Sequence, residues 1–236
     1  MKIAVISDLH LGVGDASDRF GHDQNRFLTF LQFLEDNFEK IVLLGDIWDP
    51  HTAPQRTGAK EGLRLCRESH LPISQRFEKP QYHYVHGNHD LAAAKLENAP
   101  GKLTIEAHGL RLLFAHGHEH DVFLSRAPWL ADFGVWLGAW LLRLGLSSVY
   151  SFFDHLDAVR SGVSSSAAAC TFQKWAVTAA RQHQADVIVT GHTHLPVRAE
   201  HDDVVFLNSG SCTKGRFNFA ALDTAQNDFL IQHAWA

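Results

Sequence analysis

Short, nearly unbroken apolar runs alternate along this chain with longer stretches whose apolar positions recur every three or four residues. Residues 2–6 and 41–44 are runs of the first kind, and Tyr82-His83-Tyr84-Val85 is a third, strand-like run. Runs of that length and β-branched character suit strands buried on both faces, as in a parallel sheet. Between the first two, apolar residues at 27, 28, 30, 31, 33, 34 and 38 keep helical spacing and predict a helix over 25–38. Helices are also expected at 54–69 and 171–183, with Pro72 and Pro80 marking loops around a weak segment. Residues 103–106 and 110–115 read as a hairpin turning over His108-Gly109, and 186–190 as a further strand. The tail adds short β runs at 203–207, 217–222 and 228–233. Strands alternating with helices predict an α/β fold, with no repeat or linker that would divide residues 1–236 into separate domains.

The strand ends carry the chemistry. The first strand runs into Ser7-Asp8-Leu9-His10, the second into Gly45-Asp46-Ile47-Trp48-Asp49 and the third into His86-Gly87-Asn88-His89-Asp90. Later strands end at His116-Gly117-His118 and Gly191-His192-Thr193-His194. In open α/β sheets the functional crevice lies at the carboxyl ends of the strands. Three strands ending this way predict a site assembled along one sheet edge. Imidazole, carboxylate and amide oxygen together suit a borderline or hard divalent ion such as Zn, Mn or Fe.

Composition narrows the classes. Apolar residues at 45% and charged residues at 20% are ordinary for a globular chain. A net charge of −5 argues against a broad nucleic-acid-binding face, which needs a basic stripe. Cys66, Cys170 and Cys212 are scattered and odd in number, so they read as thiols in a reducing, cytoplasmic setting. The N-terminal apolar run is too short for a signal peptide.

Asp8-x-His10, Gly45-Asp46-x-x-Asp49, Gly87-Asn88-His89-Asp90, His116 and Gly191-His192-x-His194 follow one another over most of the chain. Each alone recurs by chance; together, in this order and at strand ends, they resemble the calcineurin-like metallophosphoesterase superfamily. The resemblance implies a four-layer α-β-β-α sandwich holding two divalent ions, Mn, Fe or Zn. By the same resemblance Asp46 bridges the ions. Asp8, His10 and His194 complete one shell, and Asn88, His116 and His192 the other. Two ions roughly 3.5–4 Å apart clamp the attacking and leaving oxygens of a phosphoryl transfer, with a bridging hydroxide as nucleophile. His89 is expected beside the leaving oxygen as a proton donor, oriented by Asp49. Asp90 reads either as part of this site or as a cap on the following helix. His118 and His120 replace His116 if the strand register differs. His22 and His51 read as solvated loop residues, and Thr213, Lys214 and Arg216 as a surface turn.

Residues 119–163 break the strand–helix rhythm and are expected to form a helical insertion. Apolar residues at 129, 133, 136, 137, 140, 141 and 144 form a helical stripe, too short to span a bilayer. One reading is a core helix or a homodimer interface. The other is a cap, with Trp136 and Trp140 lining a groove for an acyl chain or 128–146 making peripheral membrane contact. An insertion at this point resembles the UDP-2,3-diacylglucosamine pyrophosphatase branch, which implies a phosphorylated lipid substrate. His89 departs from that branch, whose best-known bacterial members carry arginine there, and follows the general superfamily pattern instead. The implied activity is hydrolysis of a phosphoester or pyrophosphate. A cyclic-nucleotide phosphodiesterase or general phosphatase is the enzymatic alternative, and a metal-bound docking scaffold without turnover the alternative of another class.

Overall fold

In the computed structural model, which describes residues 1–53, 58–120, 128–145, 171–233 and 235, strand β1 (Lys2–Ile6) is the middle of a five-stranded sheet. The sheet runs β10-β9-β1-β2-β3, with β2 at Lys40–Leu44, β3 at Tyr82–Val85, β9 at Phe219–Asp223 and β10 at Asp228–Gln232. β1, β2 and β3 are parallel, in register Val5↔Val42 and Leu43↔Tyr84. The tail strands β9 and β10 add antiparallel.

A second five-stranded sheet has the order β4-β5-β6-β8-β7. Here β4 is Lys102–Ala107, β5 Leu110–Ala115, β6 Val187–Thr190, β7 Val197–His201 and β8 Val204–Asn208. β5, β6 and β8 are parallel, while β4 and β7 pair antiparallel at the two edges.

Side chains alternate across a strand, so each sheet must bury two faces. Ile3 and Val5 of β1 point inward and pack with Val42, Leu44, Leu112, Phe114, Val189 and Leu207, forming the seam between the sheets. Ala4 and Ile6 point outward, against Phe27, Phe30, Leu31 and Leu34 of helix α1 (Gln24–Asn37). That outer layer is completed by α2 (Ala59–Ser69), α3 (Leu71–Phe77) and α4 (Leu91–Glu97). On the far side, Leu113, Ile188 and Phe206 meet Phe172, Ala176 and Ala180; α5 spans Pro128–Arg143, and this last layer is α6 (Thr171–Gln182). The layers are α-β-β-α, as the resemblance implied.

Differences from the sequence expectation have local causes. The weak segment between the prolines contains α3, because Pro72 sits in its first turn, where no backbone donor is missed. β7 has no apolar run in the sequence, since Val197-Arg198-Ala199-Glu200-His201 is mostly polar; it is an edge strand that pairs with β8, and Arg198 and Glu200 face outward. The expectation of a site along one sheet edge is also corrected: the strand ends that carry ligand-type residues belong to both sheets. Of the insertion expected over 119–163, residues 121–127 and 146–163 lie outside the described residues, as do 54–57 of the expected helix 54–69. Among the described residues, no helix is long and apolar enough to cross a membrane.

Candidate metal centre

The carboxyl ends of β1, β2 and β3 deliver Asp8, His10, Asp46, Asp49, Asn88 and His89, and the ends of β5 and β6 deliver His116, His192 and His194. The two sets meet over the seam. His194 Nε2 lies 3.1 Å from Asp8 Oδ1 and 3.3 Å from His10 Nε2. His116 Nε2 lies 3.3 Å from Asp46 Oδ2, and His10 Nε2 is 4.0 Å from the same oxygen. Among the described residues, three groups have their donor atoms within 4.8 Å of one another: Asp8, His10 and His194; His10, Asp49 and His89, which shares His10 with the first; and Asp46, His116 and His192.

The backbone is bent to achieve this. Asp8 (φ 53°), His10 (φ 50°), Asp46 (φ 52°), His192 (φ 68°) and His194 (φ 59°) all occupy the left-handed region. Non-glycine residues avoid it at a cost of about 1–2 kcal/mol each. Such strain gathered in one place marks a functional site. Two glycines give way to the side chains. A Cβ on Gly87 would fall 2.2 Å from Asp46 Oδ1, and one on Gly45 would fall 2.5 Å from the His116 ring.

The donor set fits divalent ions. His116 Nδ1 donates to the Leu44 carbonyl at 2.8 Å, which turns Nε2 toward Asp46. That Nε2, Asp8 Oδ1 and Asn88 Oδ1 are buried atoms without a hydrogen-bond partner. The short approaches to His116 Nε2 and Asp8 Oδ1 are thus electrostatic contacts without hydrogen-bond geometry. Asp8, Asp46, Asp49 and Asp90 are all buried, and such a concentration of carboxylate demands positive charge. Burial pushes the His116 imidazolium down, but Asp46 and Asp8 outweigh it and raise the pKa to about 10. A divalent ion between these groups answers the same demand as that proton. Burial and the Arg19 charge push His10 down to about 3, and burial with the charge on His116 does the same to His192. Both rings therefore stand as neutral donors, the form that ligates metals.

His89 Nδ1 is 3.1 Å from Asp49 Oδ1, and its backbone amide donates to Asp46 Oδ1 at 2.9 Å. Burial of His89 opposes its charge, but Asp49 and Asp46 prevail and hold its pKa above the ordinary value. His116, not His118, enters the site; the His118 ring stands 5.6 Å from that of His116, on the turn His118–His120. His51, expected in solvent, has its ring 6.3 Å from that of His89. His22 is also drawn in, its Nε2 donating to the Cys212 carbonyl at 2.8 Å.

Several contacts that hold the site have no signal in the sequence. Asp90 does not cap α4 by its side chain. Its carboxylate instead accepts from Gly87 N (2.6 Å), Ile47 N (2.8 Å) and Tyr84 Oη (2.5 Å), tying the β2 and β3 loops together. Ser7 Oγ bonds Asp8 and, at 2.8 Å, Ser209 Oγ, while Asn208 Nδ2 donates to the Gly191 carbonyl at 2.6 Å. The Asn208-Ser209 turn thus supports both the Asp8 and the His192 loops. Arg19, in the loop between β1 and α1, donates from Nη2 to Asp49 Oδ2 at 3.1 Å. Loop composition gave no signal for it.

A family model described as calcineurin-like phosphoesterase matches residues 1–196. The chain belongs to that family. As a calcineurin-like phosphoesterase it is a metal-dependent hydrolase. It is 24% identical over 220 residues to a UDP-2,3-diacylglucosamine hydrolase of Shigella dysenteriae, covering 83% of each chain. A protein of the same description from Psychromonas ingrahamii is 27% identical over 126 residues, covering 50% of this chain and 47% of the other. Among solved structures, Vps29 of Chaetomium thermophilum superposes with a TM-score of 0.53 at 16% identity, covering 98% of this chain and 95% of that one. That likeness is one of fold.

Beside this phosphoesterase site, α5 packs on the short turn Pro50–Thr52 that follows Asp49. Arg143, at its end, donates from Nε to Asp15 Oδ2 at 2.8 Å and from Nη2 to the Thr52 carbonyl. Leu137 (43% exposed), Trp140 (37%) and Leu144 (68%) form an outward apolar row on and just beyond the helix. Trp136 is half-buried, its ring 6.2 Å from that of Trp140.

Proposed function

We propose that this chain is a two-metal hydrolase of a phosphoester or pyrophosphate bond in an acylated substrate, of the lipid-linked nucleotide-sugar kind named in its relatives. The observation that carries the reaction is the set of buried, unpartnered donor atoms: His116 Nε2 against Asp46, Asp8 Oδ1, and Asn88 Oδ1 on the residue before His89, whose amide bonds Asp46. Asp8, His10 and His194 would hold one ion, Asn88, His116 and His192 the other, and Asp46 both. When bound, the ions supply an activated water and offset charge on the phosphoryl oxygens. His89, its Nδ1 engaged by Asp49, offers Nε2 to the leaving oxygen. Asp49 keeps that ring in one orientation. The two sheets shield the pair from below, where Val5, Leu44 and Phe114 exclude water.

The substrate part of the reading rests on the relatives and on α5. Its outward row of Leu137, Trp140 and Leu144, set next to the turn after Asp49, offers hydrocarbon to an acyl chain or a bilayer surface. Each buried methylene contributes about 0.8 kcal/mol. A series of acylated UDP-sugars with lengthening chains, assayed with Mn, Fe or Zn, should therefore bind more tightly with each extension until the groove is full. Exchanging Trp136 and Trp140 for serine should flatten that trend and spare nitrophenyl phosphodiesters. A wild type without any chain-length trend sinks the lipid reading while leaving the reaction class standing. A uniform loss on every substrate, with a lowered melting temperature, assigns the tryptophans to packing.

A second reading, a small phosphodiester substrate, is favoured by one observation: the intact His89–Asp49 pair. Turnover of bis-nitrophenyl phosphate or cyclic AMP exceeding that of every acylated substrate would select it.

A further inference from the structure

We propose that Arg19 is a positioning residue of this site, fixing Asp49 from the side opposite His89 and so setting the direction of the His89 ring. The inference rests on the reading of His89 as the group that protonates the leaving oxygen.

Asp49 is fully buried and has two oxygens to place. Oδ1 faces His89 Nδ1 at 3.1 Å, and Oδ2 accepts from Arg19 Nη2 at the same distance. A carboxylate held at one oxygen turns about its Cβ–Cγ bond; one held at both does not. Arg19 Nη2 also lies 2.7 Å from His10 Nδ1, so the guanidinium bridges the His89 pair and a proposed ligand. Its side chain is only 15% exposed, against 1% for Asp49. A pair so far removed from water is held tightly, because breaking it strands a buried charge.

The loop is built to hold this arginine. The Arg19 carbonyl accepts from Thr213 Oγ1 at 2.6 Å and from Lys214 N at 2.8 Å, which makes the expected surface turn at 213–216 a clamp on Arg19. Thr213 is buried rather than exposed. The Asp18 carboxylate gathers the amides of Gly12, Gly14 and Phe20 at 2.9–3.1 Å and meets His70 Nε2, at the start of α3, at 2.7 Å. Arginine loses much rotamer freedom when ordered. A loop fixed at both neighbours and at the residue's own carbonyl limits the backbone part of that loss. With Nη2 engaged by Asp49 and His10 and the chain largely buried, Arg19 acts on the substrate through Asp49, not by direct contact.

The test compares Arg19→Met, Arg19→Lys, His89→Ala and the Arg19→Met/His89→Ala double variant. Substrates are phosphodiesters with leaving groups from nitrophenol to simple alcohols, with metal content and melting temperature measured alongside. Arg19→Met should lower kcat about 10-fold for alcohol leaving groups, the low end of losses for residues that orient a metal site's ligands. It should leave KM unchanged and lose much less with nitrophenol. In the His89→Ala background the same change should add little, and Arg19→Lys should recover part of the loss. A higher KM on every substrate would make Arg19 a substrate contact and overturn the proposal. So would an equal loss across leaving groups accompanied by lost metal or a lower melting temperature. Leaving-group dependence in His89→Ala but not in Arg19→Met overturns the proposal alone. Its absence in His89→Ala overturns the reading beneath it as well.

Discussion

His89 Nδ1 and Asp49 Oδ1 stand 3.1 Å apart although 40 residues separate them in the chain. Asp49 follows β2 and His89 follows β3, and the parallel pairing of those strands puts both on one side of the sandwich. With His10 the two form a third group of close donor atoms, apart from Asp46, His116 and His192 and overlapping Asp8, His10 and His194 only at His10. A variant at His89 therefore separates ion binding from proton donation.

For His89→Ala, metal content should stay at the wild-type level while turnover falls by about 10²–10⁴, the range for loss of a general acid. The loss should shrink when the leaving group is nitrophenolate, which needs no proton. Loss of metal from this variant would make His89 a ligand.

Asp46→Asn should lose both ions or nearly all activity. Asp46 Oδ2 is the oxygen nearest His116 Nε2 and also lies within 4.0 Å of His10 Nε2, so it faces both halves of the site. A neutral amide cannot balance two divalent charges there. Two ions per chain with normal turnover, by elemental analysis and assay, would remove the bridging role.

Asp90→Ala should destabilise the fold and weaken metal retention together. It leaves the buried amides of Gly87 and Ile47 without their acceptor. At roughly 1–3 kcal/mol for each stranded group, about 3 kcal/mol of stability should go. Urea unfolding measures the first effect and chelator competition the second; a variant with wild-type values in both would show that Asp90 is dispensable.

Asp18 gives a pH signature. Burial pushes its carboxyl up, but the hydrogen bonds from His70, Phe20 and Gly14 bring it below the ordinary range. A folded pKa lower than the unfolded one means stability that is fully present above about pH 4 and lost as pH falls through the folded value. The stability gap between wild type and Asp18→Asn should therefore be constant near neutrality and narrow in acid. A gap independent of pH would rule out an ionised Asp18 as the hub of its loop.

The parts of this molecule legible in the sequence were those in which chain order and spatial order agree. β1, β2, β3 and β5 are apolar runs, and the residues that follow each of them are the residues at the site. Helix α1 showed its spacing and lies one residue from the expected span. The supports of the site were not legible, because their partners are remote. The choice between site and helix cap for Asp90 is made only when Ile47 and Tyr84 are brought to it. Arg19 sits among glycines and aspartates that mark a loop, and only the fold lays the 213–215 turn across its carbonyl. The left-handed backbone at Asp8, His10, Asp46, His192 and His194 had no signal either, since none of these is glycine.

The two sheets each bring only part of the donor set, and this bears on how the protein is assembled. Asp8, His10, Asp46 and Asn88 ride on one sheet, while His116, His192 and His194 ride on the other. Among the described residues, two of the three close donor groups, Asp8 with His10 and His194 and Asp46 with His116 and His192, draw on both sheets. Ions held across the seam would fasten one leaf of the molecule to the other, favouring the docked state by mass action. Affinity for metal then becomes a gauge of how well Ile3, Val5, Leu112 and Val189 interlock far below it. A chain newly made and still closing its two leaves would acquire its ions last, so that readiness for chemistry certifies completed folding.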